Sequence, residues 1–146
     1  REISEAVSIP VIANGDVIDS STASECLEAT GASGLMIGRG AIGRPTIFYE
    51  IKRDLGWITG PPPWGEGGDA IARQWCWNRY LELCEDIYAD SKNKNLKRHA
   101  VSFTKGLPGA SAMRVDLHGE VDQRKLGRMV SEYLEGLASL NEATAA

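Results

Sequence analysis

The chain has 146 residues, 42% hydrophobic and 25% charged, a soluble globular mixture with room for one ordinary domain or two small ones. No run approaches the ~18 consecutive apolar residues of a membrane span, and no membrane partner is expected. The net charge of −4 hides an asymmetry: residues 92–128 hold nine Lys or Arg against three acids, and the rest holds seven basic and seventeen acidic residues. An acidic body with one basic segment points to a local site for a polyanion.

The chain opens on Arg1, and no basic start with an apolar core follows it as in a signal peptide. Arg1–Val7 reads as the end of a helix, so the chain is expected to be a fragment of a longer protein. Ile9–Ala13 is a short apolar run ended by the turn signal Asn14-Gly15-Asp16, which suits a parallel strand buried on both faces. Asp19, Ser20, Ser21 and Thr22 offer helix caps, and Ala23, Cys26, Leu27 and Thr30 follow at the spacing of one helical face. Gly31 is a natural stop. Gly34–Ile37 is a second apolar strand, running into the glycine-rich loop from Gly38 to Pro45. Pro45 can start a helix whose inner face is Ile47, Phe48, Ile51 and Leu55. Strand, helix, strand, helix with short loops is the order of an α/β unit, assigned to residues 1–56.

Residues 57–68, with three consecutive prolines and four glycines, read as a linker that packs little. Every later segment is helical, so residues 69–146 are expected to form a small bundle. Asp69–Asp90 carries Ala72, Cys76, Tyr80, Leu83, Cys84 and Ile87 along one side. Lys94–Lys105 carries Leu96, Ala100 and Phe103, with Leu107 beyond. Ser111–Leu117 is a short helix after the Pro108-Gly109 break. Asp122–Leu140 carries Leu126, Met129, Val130, Tyr133, Leu137 and Leu140. Cys26, Cys76 and Cys84 have no CxxC spacing and read as buried free thiols of a cytoplasmic protein. His99 and His118 are the two histidines and lie far apart, so no metal site is expected.

Two segments carry chemistry. In a β/α barrel, ligand groups sit on the loops after the strands, and the last two such loops often make a phosphate site. The turns Asn14-Gly15-Asp16 and Gly38-Arg39-Gly40 fit that role. Glycine lets main-chain N–H groups approach phosphate oxygens, and Arg39 adds a charge-assisted donor. Asp16 would serve through its backbone N–H or by fixing the turn. On spacing alone, glycines that merely reverse the chain fit as well. At ~100° per residue, Lys94, Arg98 and Lys105 fall on one narrow helix face with Lys97 flanking, opposite Leu96, Ala100, Phe103 and Leu107. That basic stripe suits phosphates, and taken alone it also suits a solvated helix surface.

Residues 9–16 (IPVIANGD) and 30–45 (TGASGLMIGRGAIGRP), followed by Ile47-Phe48, resemble the last two barrel strands of tRNA-dihydrouridine synthases. Residues 97–110 (KRHAVSFTKGLPGA), then Arg114, resemble the same family's basic helix and Pro-Gly-Ala turn. Of an aromatic pair frequent there, this chain keeps Phe103 after Ser102. The resemblance covers most of residues 7–115 and implies the C-terminal part of an FMN-binding TIM (β/α)8 barrel, then a helical domain that holds tRNA. It implies an FMN phosphate site at Asn14, Gly15, Asp16, Gly38 and Arg39, and tRNA contacts at Lys94, Lys97, Arg98, Lys105 and Arg114. It implies a cytoplasmic enzyme, monomeric at full length, in which NADPH reduces FMN, a hydride passes to C6 of a uridine flipped from tRNA, and a cysteine gives a proton to C5. That cysteine belongs to earlier barrel loops, and none of Cys26, Cys76 or Cys84 matches its position, so no catalytic residue is expected in this chain. Two other readings fit parts of the pattern: an FMN-barrel oxidoreductase acting on a small metabolite, and a nonenzymatic RNA-binding module.

Overall fold

The computed structural model of the chain describes residues 1–65, 67–88 and 95–145. They divide into two compact units, Arg1–Gly60 and Pro61–Ala146.

The first unit is mixed α/β. Its elements are α1 (Glu2–Ala6), β1 (Ile12–Asn14), α2 (Ser20–Thr30), β2 (Gly34–Met36), a 3-10 turn at Arg39–Ala41 and α3 (Ile47–Asp54). The two strands pair in parallel, Ile12 with Gly34, Ala13 with Leu35 and Asn14 with Met36. A parallel pair needs a crossover, and α2 supplies it. Asp19 caps α2: the Thr22 N–H donates to its carboxylate at 2.8 Å, and the Asp19 N–H donates to the Thr22 hydroxyl at 3.1 Å. Gly31 ends the helix, its N–H donating to the Leu27 carbonyl at 2.8 Å. Val17, Ala23, Ile47 and Ile51 form the core, with Cys26, Leu35, Ile37, Ala41 and Leu55 packed against it.

Three expectations for this unit are corrected. The first strand runs Ile12–Asn14, so Asn14 closes the strand instead of opening the turn. Pro10 lacks an N–H for a ladder, and β2 is three residues long, so pairing cannot extend back to Ile9. The strands are also not buried on both faces: Ile9 is 70% exposed, Ile12 58% and Met36 57%. Among the described residues each strand pairs only with the other, so two strands cover little of one another's faces. Phe48 is 45% exposed because it lies ~100° round α3 from Ile47, while Ile47 and Ile51 share the inner face.

The second unit is all helical among the described residues: α4 (Asp69–Tyr88), α5 (Leu96–Thr104), α6 (Ala110–Gly119) and α7 (Gln123–Ala145). Its core unites Cys76 and Trp77 of α4, Leu96, Ala100 and Phe103 of α5, Leu117 of α6, and Leu126, Val130 and Leu134 of α7. Each large side chain so buried contributes about 1.5–3 kcal/mol. Trp77 is fully buried, its ring centroid 5.1 Å from Phe103 and its indole N–H donating to the Gly127 carbonyl at 3.2 Å.

The expected inner face of α5 holds, while those of α4 and α7 shift. Leu83 and Ile87 on α4 are 40% and 72% exposed, and Leu140 on α7 is 64% exposed. Trp77 and Leu134 take the central positions, Trp77 meeting Phe103 of α5 and the Gly127 carbonyl of α7. The expected end of the first helix, 89–90, lies outside the described residues. Trp64, in the stretch read as a packing-poor linker, is half-buried with its ring 6.0 Å from Trp75. Of the three free cysteines, Cys76 alone is buried, and Cys26 and Cys84 are half-buried.

Candidate functional site

The parallel register decides where the first motif stands. Asn14 and Met36 are the last paired residues, so Asp16 and Gly38 each lie two positions beyond them, past the same end of the sheet. The turn after β1 and the turn after β2 are therefore neighbours, and the Arg39 guanidinium reaches the Asp16 carboxylate at 2.5 Å. Both side chains stand in solvent, at 87% and 85% exposure, so the pair adds little stability. Its effect is geometric: Arg39 is tied across two loops while most of its five N–H donors stay available. Asp16 holds a left-handed backbone, φ 39°, which turns the chain sharply after the strand. Asn14 donates its side-chain amide to the Met36 sulfur at 3.2 Å, a further link between the strand ends.

The glycines of the two turns divide into two kinds. A Cβ added at Gly15 or Gly38 would meet nothing within 4 Å, so both main chains border open space. A Cβ at Gly40 would stand 2.4 Å from the Val17 carbonyl oxygen. Gly40 thus permits the close approach that joins the two loops, while Gly15 and Gly38 leave room for a ligand against their N–H groups. Loop composition alone does not distinguish Gly40 from its neighbouring glycines in this respect. Beside the turns, the N–H and hydroxyl of Thr22 hold the Asp19 carboxyl below the usual carboxylate range, with Arg44 adding to the shift. Together these features fit an oxyanion such as a phosphate: uncrowded main chain at Gly15 and Gly38, a tethered guanidinium and an Arg39 charge that answers Asp16.

The basic residues of the second unit divide differently. Lys97 lies on α5 and donates to the His118 carbonyl at 3.0 Å, joining α5 to the end of α6. Arg98 is exposed on the next position of α5. Lys105 lies one residue past α5 in extended conformation, so it belongs to the connecting turn and not to the helix face predicted for it. Arg114 is exposed on α6. Lys94 lies outside the described residues. His99, half-buried with its ring 5.1 Å from Tyr80, is held below the usual imidazole range by burial and by the neighbouring Arg98 charge. Opposite this surface, Leu96, Ala100 and Phe103 are buried, so α5 is two-sided as its spacing implies. Among the described residues no group of His, Cys, Asp and Glu could hold a metal ion, and no helix is long and apolar enough to cross a membrane.

The comparisons with known proteins bear on both units. The dihydrouridine synthase family model matches residues 1–138. The chain is 41% identical over 105 residues to tRNA-dihydrouridine synthase B of Escherichia coli K12, covering 70% of this chain and 31% of that protein. The same identity and coverage hold for tRNA-dihydrouridine synthase B of Yersinia pestis. A probable tRNA-dihydrouridine synthase of Rickettsia conorii is 30% identical over 145 residues, 97% of this chain and 42% of that protein. The chain thus spans about a third to two fifths of the length of the curated relatives it matches.

Proposed function

This chain belongs to the dihydrouridine synthase family, and we propose that it serves a cytoplasmic, monomeric enzyme reducing uridine to 5,6-dihydrouridine in tRNA, with FMN as cofactor and NADPH as reductant. In this reading the first unit supplies the last two β/α units of a TIM barrel, residues 57–68 link it onward, and residues 69–146 are the tRNA-binding domain. The observation that carries the reading is the meeting of the two turns at one end of a parallel strand pair, with Arg39 tied to Asp16. That is the place where β/α barrels bind phosphate.

Asn14, Gly15, Asp16, Gly38 and Arg39 would hold the FMN phosphate. Gly15 and Gly38 admit it against the main chain, Arg39 donates to its oxygens, and Asp16 and Asn14 keep the two loops in register. Bound there, FMN supplies the hydride chemistry that reduces the uracil ring. The substrate base must leave its stack to be reached, so the protein has to grip the surrounding RNA firmly. Lys97, Arg98, Lys105 and Arg114, with Lys94 beside them in sequence, would meet tRNA phosphates in the basic segment of an otherwise acidic chain.

The test uses the full-length protein and its Arg39→Ala variant. Parent protein should purify with a flavin absorbance spectrum and form dihydrouridine in tRNA. Arg39→Ala should lose flavin on dialysis and regain activity when FMN is added in excess. Equal flavin retention in the two proteins would remove Arg39 from the site, and a parent without flavin or dihydrouridine formation would overturn the reading.

A further inference from the structure

The turn between α5 and α6 is held from two sides by side chains that the function above does not use. Arg73 of α4 is largely buried, its side chain 12% exposed. It donates to the carbonyl of Phe103 at 3.1 Å and to that of Lys105 at 2.8 Å, and it pairs with Asp69 at 2.8 Å. Its Nε is buried without a hydrogen-bond partner. Burying a guanidinium that incompletely satisfied is costly, and an apolar side chain would pack there more cheaply. The arginine is therefore better explained by the two carbonyls it grips than by packing.

The second grip comes from α7. The Tyr133 hydroxyl donates to the Pro108 carbonyl at 2.6 Å, and its ring lies 3.8 Å from where a Cβ of Gly109 would sit. Burial holds the phenol above its ordinary range, which keeps it a donor, and the nearby Arg73 charge acts the other way. Between the two grips the chain turns sharply, with Gly106 at φ 81° and Gly109 at φ 75°, conformations that side-chain-bearing residues rarely take. The Leu107 N–H closes onto Thr104 and the Ala110 N–H onto Leu107, at 3.3 and 3.1 Å. This turn carries the exposed Lys105 and leads into α6, which carries Arg114.

We propose that Arg73 and Tyr133 are positioning residues for tRNA: they clamp the Lys105–Gly109 turn so that Lys105 and the start of α6 meet the RNA backbone in one fixed arrangement. The proposal rests on the tRNA-binding reading above. It adds two residues outside the basic stripe, reaching the turn from 32 and 25 positions away in sequence. A held turn binds phosphates without first losing conformational freedom, so the clamp acts on affinity and not on the chemical step.

The experiment is a pair of double-mutant cycles in the full-length protein, Arg73→Met with Lys105→Ala and Tyr133→Phe with Lys105→Ala. It reads the Kd for tRNA and the tRNA KM and kcat of dihydrouridine formation. Arg73→Met keeps an apolar stem, and Tyr133→Phe removes only the hydroxyl. Each should raise Kd and KM together, by about threefold to tenfold for a lost hydrogen bond, with kcat at saturating tRNA held. In the Lys105→Ala background the same changes should cost clearly less than in the parent, because one of the groups they present to the RNA is gone. If Arg73→Met fails to fold, the Tyr133→Phe cycle decides alone. Additive losses, parent-like affinity in both single variants, or a fall in kcat at unchanged KM would overturn the clamp and leave the tRNA reading standing. Parent-like affinity in Lys105→Ala would show that the turn does not touch RNA, and would overturn both the clamp and the assignment of Lys105.

Discussion

Alanine placed at each of three glycines in the two turns should separate the ligand-facing backbone from the structural one. At Gly40 an added Cβ would stand 2.4 Å from the Val17 oxygen, 0.6 Å inside the 3.0 Å that real Cβ contacts essentially never breach, and 3.4 Å from the Ile18 Cα. Both neighbours are backbone and cannot rotate aside, so the loops must part. Overpacking of this kind costs about 1–3 kcal/mol. For a protein of full length, each kcal/mol lowers the melting midpoint by roughly 2–4 °C. At Gly15 and Gly38 the Cβ meets nothing within 4 Å, so an added methyl clashes with no neighbour. There the change should leave the fold largely intact, because nothing stands in the methyl's way. The new methyl would instead occupy the phosphate's approach to the main chain. Losing one such charge-assisted hydrogen bond costs about 1.5–3 kcal/mol, at least a tenfold loss of FMN affinity. The assay is thermal unfolding of the flavin-free protein, beside FMN titration followed by flavin absorbance. Gly40→Ala should melt early, and Gly15→Ala and Gly38→Ala should melt normally yet bind FMN weakly. Parent-like FMN affinity in both of the latter would refute the phosphate cradle, and a parent-like melt for Gly40→Ala would refute the close approach of the loops.

Three further outcomes are expected. Replacing Arg98 and Lys105 together by alanine should weaken tRNA binding and flatten its dependence on salt, because fewer counterions are released; a titration across a salt series checks this, and an unchanged slope would remove both from the RNA site. Trp77→Phe should destabilise the second unit by about 1–3 kcal/mol, since it leaves the Gly127 carbonyl without its donor inside the core, as denaturant unfolding would measure. The Lys125 ammonium at 2.6 Å, with the N–H groups of Asp122 and Val121, lowers the Glu120 carboxyl from its ordinary 4.5 to about 2. Its folded value lies below the unfolded one, so the pair stabilises above pH 4.5 and that contribution fades as pH falls toward 2. Glu120→Gln should therefore flatten the stability profile across that acid window, and an unaltered profile would mean the ion pair is not formed in solution.

How much of this protein could be read from its residues depends on the range of the interaction concerned. Local physics made the elements legible. The Asp19 and Thr22 cap, the Gly31 stop and the alternation of apolar strand with amphipathic helix act within a few residues. So does the two-sided pattern of α5, with Leu96, Ala100 and Phe103 buried. Charge segregation along the chain is likewise written in composition, and it pointed to the basic segment before any coordinates. What failed were inferences about neighbours. Burial on both faces of the strands needs flanking strands that the described residues do not contain, and Ile12 and Met36 stand exposed. Periodicity placed Lys105 on the helix face, yet the helix ends at Thr104 and Lys105 becomes part of the turn. On α4 the pattern favoured Leu83 and Ile87, whereas the faces of α5 and α7 select Trp77.

The sequence by itself determined which residues could serve a phosphate: the glycines that free the main chain, the arginine beside them and the lysines and arginines of one segment. Only the tertiary structure decided which of them act together. Parallel register brings Asp16 to Arg39 across 23 positions, a close approach makes Gly40 obligatory, and Arg73 and Tyr133 reach the same turn from two different helices. Contacts between segments far apart in the chain depend on how helices and strands pack, and no single stretch of sequence encodes that packing.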